Sequence, residues 1–171
     1  MASDVAPDRP GRATAALPLL LLDVDGVLNP YAAEHCPDGY REYPFFPDED
    51  PPIRLCAEHG GWLADLGQLF ELAWATGWED EANVYLAPAL GLPQLPVVRF
   101  PPVPFPPAAK VPAIDAFAGD RPAAWVDDVH PPEAWAWQRG RSAPTLLVTA
   151  DPAGGLTRAM VDRLVAWHGA L

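Results

Sequence analysis

The stretch LLLLDVDGVLN, Leu19 to Asn29, is an unbroken apolar run that stops on Asp23 and Asp25. An apolar run without alternation reads as a strand buried on both faces, the central strand of a parallel sheet. Counted from Leu17 to Val24 and interrupted by Pro18, it is far short of the about 20 residues that cross a bilayer. Working outward, strand-like and helix-like segments alternate. Trp62, Leu63, Leu66, Leu69 and Phe70 recur at helical spacing, and Leu72 to Thr76 reads as a second strand. Ala82 to Leu90 reads as a helix that Gly91 caps. Val97 to Phe100 reads as a short edge strand, Val111 to Phe117 as a helix, and Ala123 to Val126 as a strand running into Asp127 and Asp128. Glu133 to Arg139 is a short helix, Thr145 to Thr149 a strand, and Leu156 to Trp167 an amphipathic helix with Leu156, Met160, Leu164 and Trp167 on one stripe. Strands alternating with helices imply βαβ units, an α/β fold whose parallel sheet is covered on both sides.

The chain has 171 residues, enough for one domain with one core. Residues 1–16 read as a disordered tail without a secretory signal, and 17–171 as a single catalytic domain. The formal charge of −12 leaves no broad basic surface for a phosphate backbone, so strong non-specific nucleic-acid binding is not expected. Cys36 and Cys56 match no zinc or disulfide-framework spacing and read as reduced thiols. With no membrane segment, a cytoplasmic protein is expected. Many of the 23 prolines crowd into two places, the loop from Asn29 to Pro52 and the run from Leu92 to Pro107.

In a parallel sheet, sites form beyond the carboxyl ends of the strands. Here those ends carry Asp23 and Asp25, then Thr76, then Asp127 and Asp128, while Lys110 opens the helix before the last of these strands. These residue types suit phosphoryl transfer: a carboxylate serves as nucleophile, carboxylates with phosphate oxygens hold Mg²⁺, and a lysine and a hydroxyl orient the remaining oxygens.

LLLLDVDGVLN resembles the first motif of the haloacid dehalogenase (HAD) superfamily, AWAT at Ala73 to Thr76 resembles its second, Lys110 stands where the third supplies a lysine, and AAWVDD at Ala123 to Asp128 looks like the acidic fourth. The four occur in the family's order. The resemblance implies a Rossmann-like three-layer αβα sandwich with the first strand central. It makes Asp23 the nucleophile and Asp25 the general acid and base. It assigns Mg²⁺ to Asp23, the backbone carbonyl of Asp25 and Asp127, with Asp128 as a further ligand or an orienting neighbour, and phosphate binding to Thr76, Gly77 and Lys110. An aspartate at position 25 points to a phosphatase or phosphomutase rather than a dehalogenase. The short spans between motifs leave room for a minimal cap or none. An open site of that kind takes a large substrate or is closed by a neighbouring subunit in a homo-oligomer.

The expected function is therefore Mg²⁺-dependent phosphomonoester hydrolysis through an aspartyl phosphate on Asp23. Its substrate is a phosphorylated small molecule or a nucleic-acid end, the latter because the motifs are similar to HAD domains associated with RNA-repair proteins. The alternatives are a phosphotransferase or polynucleotide-end phosphatase of the same fold, and a non-catalytic binding or regulatory module. Trp78, Asn29 and Tyr31 are candidates to line a substrate pocket. Tyr31, Tyr40, Tyr43, Phe45 and Phe46 make the loop from Pro30 to Pro52 the natural lid. The Leu92 to Pro107 run reads as a wall beside the site or a polyproline ligand. Asp127 and Asp128 have an ordinary alternative as helix caps, and of the four histidines His130 stands nearest the fourth motif.

Overall fold

The computed structural model describes residues 16–46 and 52–171. The expected tail lies outside them apart from its last position, as does the stretch 47–51 of the proposed lid. In chain order the strands are β1 (Leu19–Leu22), β2 (Tyr40–Tyr43), β3 (Ile53–Cys56), β4 (Glu71–Trp74), β5 (Ala123–Asp127) and β6 (Thr145–Thr149). The helices are α1 (Ala57–Leu66), a π-turn at Ala82–Leu86 continuing into α2 (Ala87–Leu90), α3 (Lys110–Ala118), α4 (Pro132–Gly140) and α5 (Arg158–His168). β4, β1, β5 and β6 form one parallel sheet in that order, with Leu21 of β1 beside Ala73 on one side and Trp125 on the other.

β1 is central because all four of its leucines are apolar and the sheet is sandwiched. Leu20 and Leu22 pack with Leu63 and Leu66 of α1 and Val161 and Leu164 of α5. Leu21 packs on the other face with Ile114 of α3 and Ala134 of α4. Each of the four leucines is fully buried, and burial of one such side chain contributes about 1.5–3 kcal/mol. Helices therefore cover both faces, the arrangement the unalternating apolar run implies. No helix among the described residues is long and apolar enough to cross a membrane. Cys36 and the buried Cys56 are free thiols.

Four elements differ from the sequence expectation. α1 starts five residues before Trp62, and Leu69 and Phe70 fall past its end at Gly67. Its early turns contain Gly60 and Gly61, poor helix formers, yet a Cβ at Gly60 would collide with the backbone carbonyl of Leu90. The close crossing of α1 and α2 requires glycine there. The loop after β1 contains β2, which pairs antiparallel with β3 as a small separate sheet. The helix expected over Ala82 to Leu90 begins as a π-turn, although Gly91 ends it at φ +69° as expected. Val97 makes one parallel bridge to Trp74 rather than a strand, its neighbour Val98 donating to the Trp74 carbonyl at 2.8 Å. The prolines around it remove the N–H groups a longer ladder needs.

Candidate active site

The sequence DVDGVLN forms a tight loop beyond β1. The N–H groups of Val27, Leu28 and Asn29 all turn back to the carbonyl of Val24, and Gly26 donates to the carbonyl of Asn29. Gly26 adopts φ +76°, and a Cβ there would stand 2.5 Å from Asp128 Cβ. Glycine thus satisfies both the left-handed backbone and the close approach of the loop that carries Asp128.

Asp23, Thr76 and Asp127 emerge side by side from the ends of β1, β4 and β5. Lys110, at the start of α3, reaches across with Nζ donating at 2.7 Å to Asp23 Oδ2 and at 2.7 Å to Asp127 Oδ2. Asp23 Oδ1 also accepts from Val24 N at 2.8 Å. Asp127 accepts from Trp125 Nε1 at 3.1 Å and from Val129 N at 3.0 Å. Burial opposes the charge on Lys110, but Asp23 and Asp127 outweigh it and hold its pKa above the ordinary value. Burial, reinforced by the Asp23 charge, pushes Asp127 up to about 8 against the pull of Lys110. Asp23 and Asp127 thus share one lysine, and Asp127 takes up a proton more readily than an ordinary carboxyl.

Asp25 lines the same site but makes no bond to Lys110. Its Oδ1 accepts from Asn29 Nδ2 at 2.8 Å and its Oδ2 from Trp78 Nε1 at 2.8 Å. Burial raises its pKa, while the two donors pull the other way. The Asn29 amide oxygen in turn accepts from Arg54 N at 3.0 Å, which ties β3 to the loop. Trp78 packs against Phe46 at 5.3 Å between ring centroids, and Phe46 against Tyr85 at 5.2 Å.

A cavity of about 310 Å³ opens over these groups, lined by Asp23, Asp25, Tyr31, Thr76, Gly77, Lys110, Asp127 and Asp128, with Phe105, Pro107 and Val129 as its apolar wall. Every residue expected to be catalytic, phosphate-binding or metal-binding lines this one cavity. Of the three substrate-pocket candidates only Tyr31 does so, its hydroxyl donating to Asp128 Oδ2 at 3.2 Å. Asn29 and Trp78 lie behind Asp25 and hold it. The other lid aromatics pack elsewhere: Tyr43 stacks on Phe45, and Phe45 leans on Tyr85 against the core. The proline run does form a wall of the cavity, through Phe105 and Pro107. Neither Asp127 nor Asp128 caps α4, whose N-cap is Pro131 without a side-chain bond.

One carboxylate oxygen from each of Asp23, Asp127 and Asp128 lies within 4.8 Å of the others. An all-oxygen, carboxylate-rich donor set suits a hard divalent cation such as Mg²⁺. The Asp25 carboxylate is engaged by Asn29 and Trp78, so only its backbone carbonyl is left to join such a set. His130 does not line the cavity. Its Nδ1 lies 2.8 Å from Thr149 Oγ1, its ring meets Trp125 edge-on at 4.7 Å, and burial together with the Lys110 charge pushes it down to about 4.

The groups that support the site are less visible in the sequence than those that line it. Trp125 lies two residues before Asp127, and the period of two along a strand puts both on one face. That spacing was the available signal for the Trp125–Asp127 bond. Phe105 carried none, since nothing local shows which side of a proline run faces a site. No family model matches the chain, and the search of curated proteins finds no match to it.

Proposed function

We propose that the protein is a HAD-type, minimally capped, Mg²⁺-dependent phosphatase that works through a phosphoryl group carried on Asp23. The observation that carries this reading is the bridge from Lys110 Nζ to Asp23 and Asp127, 2.7 Å to each, at the ends of adjacent parallel strands. A lysine placed there serves both the nucleophilic carboxylate and a bound phosphoryl group. Asp25 beside them is withheld from Lys110 and raised by burial, as a proton donor should be.

A phosphomonoester enters the cavity with its phosphoryl oxygens toward the Thr76 hydroxyl, the Gly77 N–H and Lys110. A carboxylate oxygen of Asp23 attacks phosphorus, and the phosphorus–ester oxygen bond breaks as the leaving oxygen takes the proton of Asp25. Asp25, now ionised, accepts a proton from water. The resulting hydroxide attacks phosphorus, releases phosphate and restores both aspartates. Mg²⁺, when bound by Asp23, Asp127 and Asp128, supplies charge neutralisation between the anionic nucleophile and the phosphoryl oxygens. The donors from Asn29 and Trp78 keep the Asp25 carboxyl oriented, so it spends little entropy in reaching the leaving oxygen. The hairpin of β2 and β3 is the one described element inserted between β1 and α1, which supports the minimal-cap reading.

The test is Mg²⁺-dependent phosphate release by wild type and Asp23→Asn in parallel, on an aryl phosphate, sugar phosphates, mononucleotides and phosphorylated oligonucleotides. Release by wild type alone is expected. Equal release by the variant, or none by wild type on any substrate, contradicts the reading.

A further inference from the structure

Beside the cavity lies a second groove of about 340 Å³, lined by Gly77, Glu79, Phe100, Pro101, Pro102, Val103 and Phe105. We propose that this groove receives the leaving group of the substrate and that the group is an apolar aromatic ring. The inference rests on the phosphatase reading and names the substrate class for it.

The groove is continuous with the cavity. Gly77 and Phe105 line both spaces, and Lys110 Nζ stands 5.8 Å from the centre of the Phe100 ring. A phosphoryl group held by Lys110 and the Gly77 N–H is therefore flanked directly by the groove. The two spaces join because position 77 has no side chain. A Cβ there would touch Val103 Cγ1 at 3.4 Å and the Phe105 ring at 3.9 Å, filling the seam.

The groove is also held in shape. Glu79 adopts φ +46°, a left-handed conformation unfavourable for a residue with a Cβ. Its carboxylate bonds hold it there. Oε1 accepts from Phe100 N at 3.1 Å and Oε2 from Arg99 Nη1 at 3.2 Å, while Arg99 also grips Asp80 through two bonds of 2.7 Å. The loop after β4 is thereby fastened to the segment that carries Phe100. The ring of Phe100 in turn packs on Phe105 at 5.6 Å.

Pro101 and Pro102 have no N–H to offer, the Phe100 N–H is used by Glu79, and the Glu79 carboxylate is used by Phe100 and Arg99. A nucleobase, whose ring nitrogens and exocyclic groups need several partners, finds few donors there. A hydrocarbon ring has no such groups, and Phe100, Phe105, Val103 and the prolines offer it apolar faces. A cavity of about 150 Å³ suffices for benzene, so the groove has room. Val103 is 69 % exposed, an apolar surface that an occupying ring would cover.

The experiment is calorimetric titration of the protein in Mg²⁺ with phenylphosphonate and methylphosphonate, two non-hydrolysable probes sharing one phosphoryl head. Wild type should bind the phenyl probe about tenfold more tightly, the gain from removing about 60 Å² of ring surface from water. Val103→Asp, a change on an exposed side chain, should bring the ratio of the two affinities close to one. Equal affinities in wild type, or a ratio unaltered by Val103→Asp and by Phe105→Ala, would overturn the groove assignment while leaving the phosphoryl site standing. Binding of neither probe overturns both. A nucleoside 5′-phosphonate that binds more tightly than the phenyl probe overturns the apolar ring.

Discussion

Replacing Lys110 with methionine keeps most of the volume and removes the charge from a site where Asp23 and Asp127 are 8 % and 2 % exposed in their side chains. Removing one partner from a buried ionic cluster destabilises by about 3–5 kcal/mol. The lower end applies here, because Asp23 keeps the Val24 N–H and Asp127 keeps the Trp125 and Val129 N–H groups. For a chain of this length about 3 kcal/mol lowers the melting midpoint by about 10 °C. The deficit also has a pH signature. Asp127 already has a raised pKa, so its folded form favours the proton; stability is present on the acid side and is lost as pH rises. Without Lys110 the Asp127 pKa rises further, so the loss continues where wild type levels off, and the gap between variant and wild type widens from about pH 8 upward. Urea unfolding followed by tryptophan fluorescence, in chelator and then in Mg²⁺, measures it directly. Mg²⁺ at ten times its Kd should return about 1.4 kcal/mol. Superimposable unfolding curves for the two proteins in chelator across that pH range would refute the charge accounting of the site.

Other expectations follow from the supporting groups. Trp78→Phe keeps the packing on Phe46 but removes the N–H that Asp25 accepts; kcat should fall about tenfold with KM little changed, as expected for loss of a bond to a charged group, and an unchanged kcat in steady-state assays would show that Asp25 needs no such support. His59 is buried with Nε2 at 3.0 Å from the Leu156 carbonyl, and burial pushes it down to about 4 from 6.5. Its stabilising effect is complete above pH 6.5 and is lost as pH falls toward 4, about 3 kcal/mol in all. His59→Gln should flatten that acid limb in urea midpoints measured against pH, and an identical limb would assign the acid sensitivity elsewhere. Gly26→Ala forces a Cβ into a left-handed backbone and onto Asp128; it should lower the melting midpoint by several degrees and weaken Mg²⁺ binding in titration calorimetry, and a neutral outcome in both would contradict the close approach.

The acids and the lysine that line the cavity were legible because each sits where chain pattern and chemistry coincide. A four-leucine strand can only be central, so the acids that end it must stand at the sheet's carboxyl edge. A second apolar strand ending in paired acids must bring them to the same edge. The solitary lysine of the chain then has one place to go. What stayed hidden depends on contacts between distant segments. Tyr40–Tyr43 is four residues of mixed polarity, and nothing in it announces a strand until Ile53–Cys56 lies alongside. Gly60 argues locally against a helix, yet the helix forms because α2 passes too close for any other residue. Asn29 and Trp78 stood out as residues near the site, but their partner, Asp25, is fixed by side-chain direction, which spacing alone does not give. The separation of the two Asp residues into different environments is likewise a tertiary fact. One meets Lys110 and the other meets an amide and an indole.

The central claim is that Asp23 carries the phosphoryl group, and a single-turnover reaction of Asp25→Asn with a radiolabelled aryl phosphate in Mg²⁺, quenched in acid, tests it most directly. With the proton shuttle impaired, hydrolysis of the intermediate should lag behind its formation. Label should then remain on the chain, map to the peptide containing Asp23, and be absent when Asp23 is also replaced by Asn. Free labelled phosphate with no labelled protein at any time, or label on a different residue, would contradict the account.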